Sequence, residues 1–194
     1  MLVLGNGQSR KDVNLNNIED IKIGCNAIHR DFFVDHLVCI DRRMVNEALE
    51  ANYNQHSKIY TREEWFDGYP KTKNLRVVPN LPYEGSDKWD EPFHWGSGPY
   101  AVLLSATLCK GSTVRLLGFD LYSPTSRVNN IYKGTNNYDS EHKRAVDPRY
   151  WIYQIGMVFH YFPKINFVIH NDDFDLPPAW KKSNVKVDSI SNIV

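Results

Sequence analysis

Short apolar runs bounded by turn residues recur along the chain: Leu2–Leu4, Ile21–Gly24, His36–Ile40, Lys58–Tyr60, Leu75–Val78, Val114–Leu117 and Ile165–Ile169. Each has the length of a buried strand. Several are almost continuous in Val, Ile and Leu, as strands covered on both faces must be. Between them lie helical patterns. Asp41 is placed to cap a helix through about Ala51, with Met44, Val45, Ala48 and Leu49 on one stripe. Gly98 and Pro99 open a second, carrying Tyr100, Ala101, Leu103, Leu104 and Leu108 and stopping at Gly111. Pro148 opens a third, in which Trp151, Ile155, Val158, Phe159 and Phe162 recur at helical spacing until Pro163.

Strands alternating with helices predict a parallel sheet with right-handed crossovers. The expected fold is a single Rossmann-like α/β domain over residues 1–194, with a mostly parallel central sheet and helices on both faces. Two stretches break the alternation. Pro79–Gly96 is rich in Pro, Trp and acidic residues, and Ser123–Asp147 is polar and rich in Asn. Connections of that length are usually lids or binding loops, so a lid-like insert is expected at about 123–147. The polar tail from Asp172 holds one weaker strand candidate, Val185–Ile190.

Composition narrows the possibilities. The 194 residues are 42% hydrophobic and 13% aromatic, enough to fill a core. Lys+Arg and Asp+Glu are 23 each, which argues against a dedicated nucleic-acid or anionic-membrane binder. Cys25, Cys39 and Cys109 sit in apolar runs without metal-ligand spacing and read as buried thiols in a reducing compartment. No apolar stretch approaches the roughly 20 residues of a membrane span, and no signal-peptide pattern opens the chain. A cytoplasmic protein is expected, with its oligomeric state open.

Four places carry candidate chemistry. Gly5-Asn6-Gly7-Gln8-Ser9 follows the first strand, where glycines let a backbone approach a ligand and the next turn offers N–H groups to a phosphate. A tight turn without ligand is the alternative. Arg10 stands where a dinucleotide fingerprint has its third glycine, which disfavours a nicotinamide site. Ser97-Gly98 either caps a helix or contacts a nucleotide or sugar. Asp120 and Tyr122 leave a strand at its carboxyl end, where open α/β sheets bind ligands; the alternative is a turn-capping Asp and a packing Tyr. His142 lies among charged residues as either a solvated side chain or a proton acceptor. Asp173-Phe174-Asp175 matches a metal-binding Asp-x-Asp literally but reads as an exposed loop.

In order, these pieces resemble the bacterial sialyltransferases of glycosyltransferase family 42. The resemblance rests on Gly5-Asn6-Gly7-Gln8-Ser9-Arg10, Cys25-Asn26, Ser97-Gly98, Gly118-Phe119-Asp120-Leu121-Tyr122, and His142 followed five positions later by Asp147. It implies a cytidine-monophosphate (CMP) sugar as donor, an acceptor hydroxyl, and metal-independent transfer with inversion. It also implies that Gly5, Asn6, Gly7, Ser9, Asn26, Ser97, Gly98 and Asp120 surround the donor. Tyr122 would serve the departing phosphate and His142 would be the general base. Gln8 and Arg10 depart from the family's Pro and Leu. Val128 stands where a second phosphate-binding Tyr belongs, with Tyr132 the nearest substitute. Two other readings stay open. One is a magnesium-dependent pyrophosphokinase using Asp120, Asp172 and Asp173, since an archaeal pterin pyrophosphokinase family begins similarly. The other is a non-catalytic nucleotide-binding or interaction module.

Overall fold

The computed structural model describes residues 1–69, 71–84, 95–109 and 112–193. His94, the expected helix stop Gly111 and most of the Pro79–Gly96 stretch lie outside the described residues. Eight parallel strands form one sheet in the order β5-β4-β3-β2-β1-β6-β7-β8. They are β1 (Leu2–Leu4), β2 (Lys22–Cys25), β3 (His36–Val38), β4 (Lys58–Thr61), β5 (Leu75–Val77), β6 (Thr113–Leu117), β7 (Asn166–His170) and β8 (Val185–Asp188). The chain builds outward from β1 to β5, then crosses back to lay β6 against the other side of β1. That reversal opens a crevice at the carboxyl ends of β1 and β6, the place where doubly wound sheets bind ligands.

The apolar runs are strands because both faces of the sheet are covered. Leu2, Val3 and Leu4 are all completely buried, Val3 in one hydrophobic cluster and Leu2 and Leu4 in the other. The sheet-facing helices are α1 (Arg42–Glu50), α3 (Ser97–Leu108) and α4 (Arg149–Tyr161). A single turn, α2 (Glu63–Phe66), follows β4. Helix α3 packs against β1, β2, β3 and β6 and is itself covered by α4. Buried on nearly every side, it needs no polar stripe, and it is exposed only at its end, at Thr107 and Leu108. Helix α1 lies on the opposite face with Met44, Val45 and Ala48 inward.

Three local expectations are corrected. Asp41 occupies the N-cap position of α1, but its side chain makes no capping hydrogen bond. Gly96, not Ser97, is the N-cap of α3, so the helix-cap reading of Ser97 fails. The tail strand ends at Asp188, and Ile190 enters a 3-10 turn over Ile190–Ile193. Cys25, Cys39 and Cys109 are free and buried, as expected. Among the described residues no helix is long and apolar enough to cross a membrane.

Candidate functional site

A cavity of about 370 Å³ opens along the carboxyl edge of β1, β2, β3, β4 and β6. Gly5, Asn6, Gly7, Asn26, Ser97, Gly98 and Asp120 all line it, although they span more than a hundred positions of the chain. Ser9 stands behind this wall, its hydroxyl and its N–H both donating to the Asp120 carboxylate, the latter at 3.0 Å.

The glycines are there for the protein's own backbone. A Cβ on Gly5 would lie 2.3 Å from the Gly118 carbonyl oxygen, and one on Gly7 would lie 2.5 Å from the Asp120 carboxyl carbon. The turn after β1 and the turn after β6 are thus pressed together, and only glycine lets them approach. The turn's N–H groups are spent in the same contact. Gly5 donates to Leu117 O (2.8 Å), Gly7 to Gly118 O (2.9 Å) and Gln8 to Asn129 Oδ1 (3.3 Å). The expectation of free N–H groups awaiting a phosphate is therefore overturned, because Asp120 and main-chain carbonyls already accept from them.

Asn26 adopts a left-handed conformation, φ 52°, which Asn tolerates better than most residues. Its Oδ1 accepts from Ser97 Oγ at 2.8 Å, while that hydroxyl accepts from Ile40 N–H at 3.2 Å. One serine thereby ties the starts of α3 and of the loop after β3 to the end of β2. Among the described residues the Asn26 Nδ2 group, beside the cavity, has no hydrogen-bond partner. Asn6 is more constrained. Its Nδ2 donates to Cys25 O (3.3 Å) and Tyr138 Oη (3.1 Å), and its Oδ1 accepts from Arg10 (3.4 Å). Arg10 is 5% exposed, donating also to Gly5 O (2.5 Å) and Tyr132 Oη (3.0 Å); the Tyr132 hydroxyl donates in turn to Asp31 Oδ1 (2.6 Å). Tyr132 is thus a buried brace behind the glycine turn and does not line the cavity. Burial pushes the Cys25 thiol up to about 12, with Arg10 pulling the other way, so this cavity-lining sulfur is a neutral thiol and a poor nucleophile.

The remaining lining was not evident from sequence: Arg62 after β4, Trp95 before α3, Trp151 on α4, and Asn129 and Asn130 from the polar insert. The asparagines had a compositional signal, since the insert is rich in Asn. Arg62 and Trp151 had none, and Trp95 only its place at the head of the Gly96-Ser97-Gly98 motif. Asn129 Nδ2 donates to Asp120 Oδ2 (3.1 Å) and to Tyr122 O (3.0 Å). Leu121, between them, holds φ 57°, a strained conformation for a leucine and one that clusters at functional sites.

The chain matches no protein-family model, no curated protein and no solved structure.

The insert divides into two parts. Residues 129–138 are fixed, with Ile131 N–H donating to Asn6 O, and Tyr132 and Tyr138 packed against the body. Its flanks form a short antiparallel ribbon: Arg127 faces Arg144, Val128 N–H donates to Lys143 O (3.1 Å) and Ala145 N–H to Ser126 O (3.0 Å). Side chains alternate across such a ribbon. Val128 and Ala145 line a second cavity of about 540 Å³ that shares Asn26, Asn129 and Trp151 with the first. Arg127, His142 and Arg144 consequently lie on the outer face. His142 is exposed, its Nδ1 accepting from Arg127 Nη1 at 3.3 Å and its Nε2 3.6 Å from Glu141 Oε1. Tyr122 is 55% exposed, does not pack as the alternative reading expected, and lines neither cavity. The structure brings together the donor-side residues and leaves the two catalytic candidates outside the cleft.

The Asp120, Asp172 and Asp173 trio is not assembled. Asp120 stands in the cleft, whereas Asp172 follows β7 and accepts from Ser189 Oγ (2.6 Å) and Ile190 N–H (3.1 Å). Among the described residues no three His, Cys, Asp or Glu side chains gather as metal ligands. Asp173 and Asp175 are exposed, as expected.

Proposed function

We propose that the cleft binds a nucleotide sugar and that the protein is a sialyltransferase-like glycosyltransferase using a CMP-sugar donor. One observation carries the reading: seven of the eight residues implied by the family resemblance as donor contacts, all but Ser9 and scattered from Gly5 to Asp120, line a single cavity at the β1–β6 crevice. Its chemistry suits such a donor. Asp120 accepts hydroxyl protons, the Asn26 amide offers an unspent donor, and Trp95, Trp151 and Phe119 supply apolar walls for a base or sugar ring. In this reading the acceptor hydroxyl gives its proton to His142, Tyr122 supports the leaving phosphate, and the ribbon turns inward over the donor to bring both into contact. The sugar and the acceptor are left open, sialic acid being the sugar the resemblance implies.

A second reading, a non-catalytic nucleotide-binding module, is favoured by the outward placement of His142 and the exposure of Tyr122. Calorimetry with CMP and single-turnover assays with CMP-N-acetylneuraminate separate the two. Binding with donor cleavage supports the transferase. Binding with an uncleaved donor leaves the module. No heat from millimolar CMP would sink both.

A further inference from the structure

The second cavity, about 540 Å³, has the size of a small-molecule site and is not walled off from the first. Asn26, Leu121, Asn129, Asn130 and Trp151 line both, so occupants of the two would meet along that shared border. The border is fixed in place. Asn130 Oδ1 accepts from Tyr132 N–H (2.8 Å) and its main-chain oxygen from Gln8 Nε2 (3.2 Å), while Asn26 Oδ1 accepts from Ser97. Each asparagine is thus held through its oxygen, and among the described residues neither amide nitrogen has a partner. Asn137, deeper in the second cavity, is the reverse: its Nδ2 is committed to Glu47 Oε2 (2.7 Å), and its Oδ1 has no partner among the described residues.

The charged groups of this lining offset one another. Arg43, in the first turn of α1, faces the same space as Asp139, which already holds the Lys143 ammonium. With no prevailing sign and with donors and acceptors both on offer, the cavity suits groups that donate and accept alike, and hydroxyls do both. Trp151 adds an aromatic wall at the border. A Cβ on Gly96 would lie 3.2 Å from its Nε1, so that glycine makes room for the indole. Val128 and Ala145, from the inner face of the ribbon, supply an apolar side. Hydroxyls around a ring with apolar C–H faces are the chemistry of a sugar.

We propose that the second cavity is the acceptor site and takes an uncharged saccharide, one hydroxyl of which reaches the donor between Asn26 and Asn130. The proposal rests on the nucleotide-sugar reading of the first cavity and fills the place that reading leaves open. At the border the acceptor oxygen bonds to the anomeric carbon as the bond from that carbon to the phosphate breaks. CMP leaves with the electron pair, and His142 takes the proton as the ribbon closes over both substrates.

The test is NMR titration of isotope-labelled protein, saturated with CMP, with lactose, maltose and chitobiose and with two charged sugars, sialyllactose and glucuronic acid. A neutral sugar at millimolar concentration is expected to shift the side-chain amides of Asn130 and Asn137 and the Trp151 indole N–H in a saturable way. The charged sugars are expected to bind at least about tenfold more weakly. Ala145→Trp fills the second cavity from a position that does not line the first. It is expected to weaken sugar binding by about tenfold or more while CMP binds as in wild type, which also reports an intact fold. Val128→Trp, from the facing strand of the ribbon, repeats the measurement should Ala145→Trp fail to fold. The inference is overturned if CMP binds and no neutral sugar shifts these groups, or if a charged sugar binds as tightly as the neutral ones. It is equally overturned if a folded tryptophan variant binds sugar as wild type does. Should CMP itself not bind, the nucleotide-sugar reading fails and takes the inference with it; CMP binding without sugar binding spares the reading and removes only the inference.

Discussion

Gly118 combines two demands that a side chain cannot meet together: φ is +77°, and a Cβ would lie 2.7 Å from the Gly5 carbonyl oxygen. Gly134 shares the backbone requirement, with φ +73°, but has open space around it. Replacing each by alanine separates strain from crowding. Gly134→Ala is expected to cost about 1 kcal/mol, the penalty of a left-handed alanine alone. Gly118→Ala adds a backbone clash at the β1–β6 crossing and is expected to cost about 3 kcal/mol or more. Urea denaturation of both variants checks this; equal losses would mean that the two turns can part without penalty. The sequence shows Gly5 and Gly7 plainly, but not why they are needed. Both readings of Gly-x-Gly there, a ligand cradle or a tight turn, are local. The actual reason is a partner turn more than 110 residues away.

At the scale of elements, the strands are legible because each is a short, mostly apolar run, those at the centre of the sheet covered on both faces, and their limits shift by only a residue or two. The 3-10 turns and α2 are three to five residues long and carry no period to read. The division of the polar insert is also invisible locally, since its fixed half is held by distant residues. Arg30 grips Glu47 through Nε (2.5 Å) and Nη2 (2.8 Å) and reaches Thr135 Oγ1 (2.7 Å) and Asn136 O (2.8 Å); Asn137 donates to Glu47 Oε2 (2.7 Å). The hydrogen bond from Arg30 holds the Glu47 carboxyl below its ordinary value, with Asn137 assisting against a modest burial penalty. A depressed carboxylate stabilises the fold above its unfolded value of 4.5 and loses that contribution as pH falls through the folded value. Hydrogen-exchange protection at residues 135–137, measured against the intrinsic rate at each pH, should therefore fall on acidification below about pH 4.5. Glu47→Gln should show the lower protection already at pH 7, at a cost of about 1 kcal/mol for this partly buried clasp. Exchange that ignores both changes would show that the tyrosines alone fix the segment. The ribbon carries a separate expectation. If it turns inward during transfer, His142→Ala should leave CMP affinity intact and slow transfer by roughly 10²- to 10⁴-fold. Parallel losses in binding and rate would give His142 a structural part instead.

At the scale of the molecule, the site is built from loops that only the sheet order brings together. Asn26, Ser97 and Asp120 were accessible to sequence reading because each sits at a strand exit or helix start. Arg62, Trp151 and Trp95 were not, since each looks ordinary in its own segment and becomes a wall of the cleft only through the crossing from β5 back to β6. This construction has a measurable consequence. A ligand filling the cavity touches the exits of β1, β2, β4 and β6 together, so binding should slow exchange in all four loops at once, together with the first turn of α3. The same linkage raises global stability, by about 2.7 kcal/mol when the ligand is present at 100 times its dissociation constant. For a chain of this length that corresponds to a rise in Tm of roughly 5–10 °C. The two measurements must agree. Protection confined to the glycine turn at saturation would mean that the ligand perches on one loop. The cavity would then be a by-product of the sheet reversal and not the site it serves.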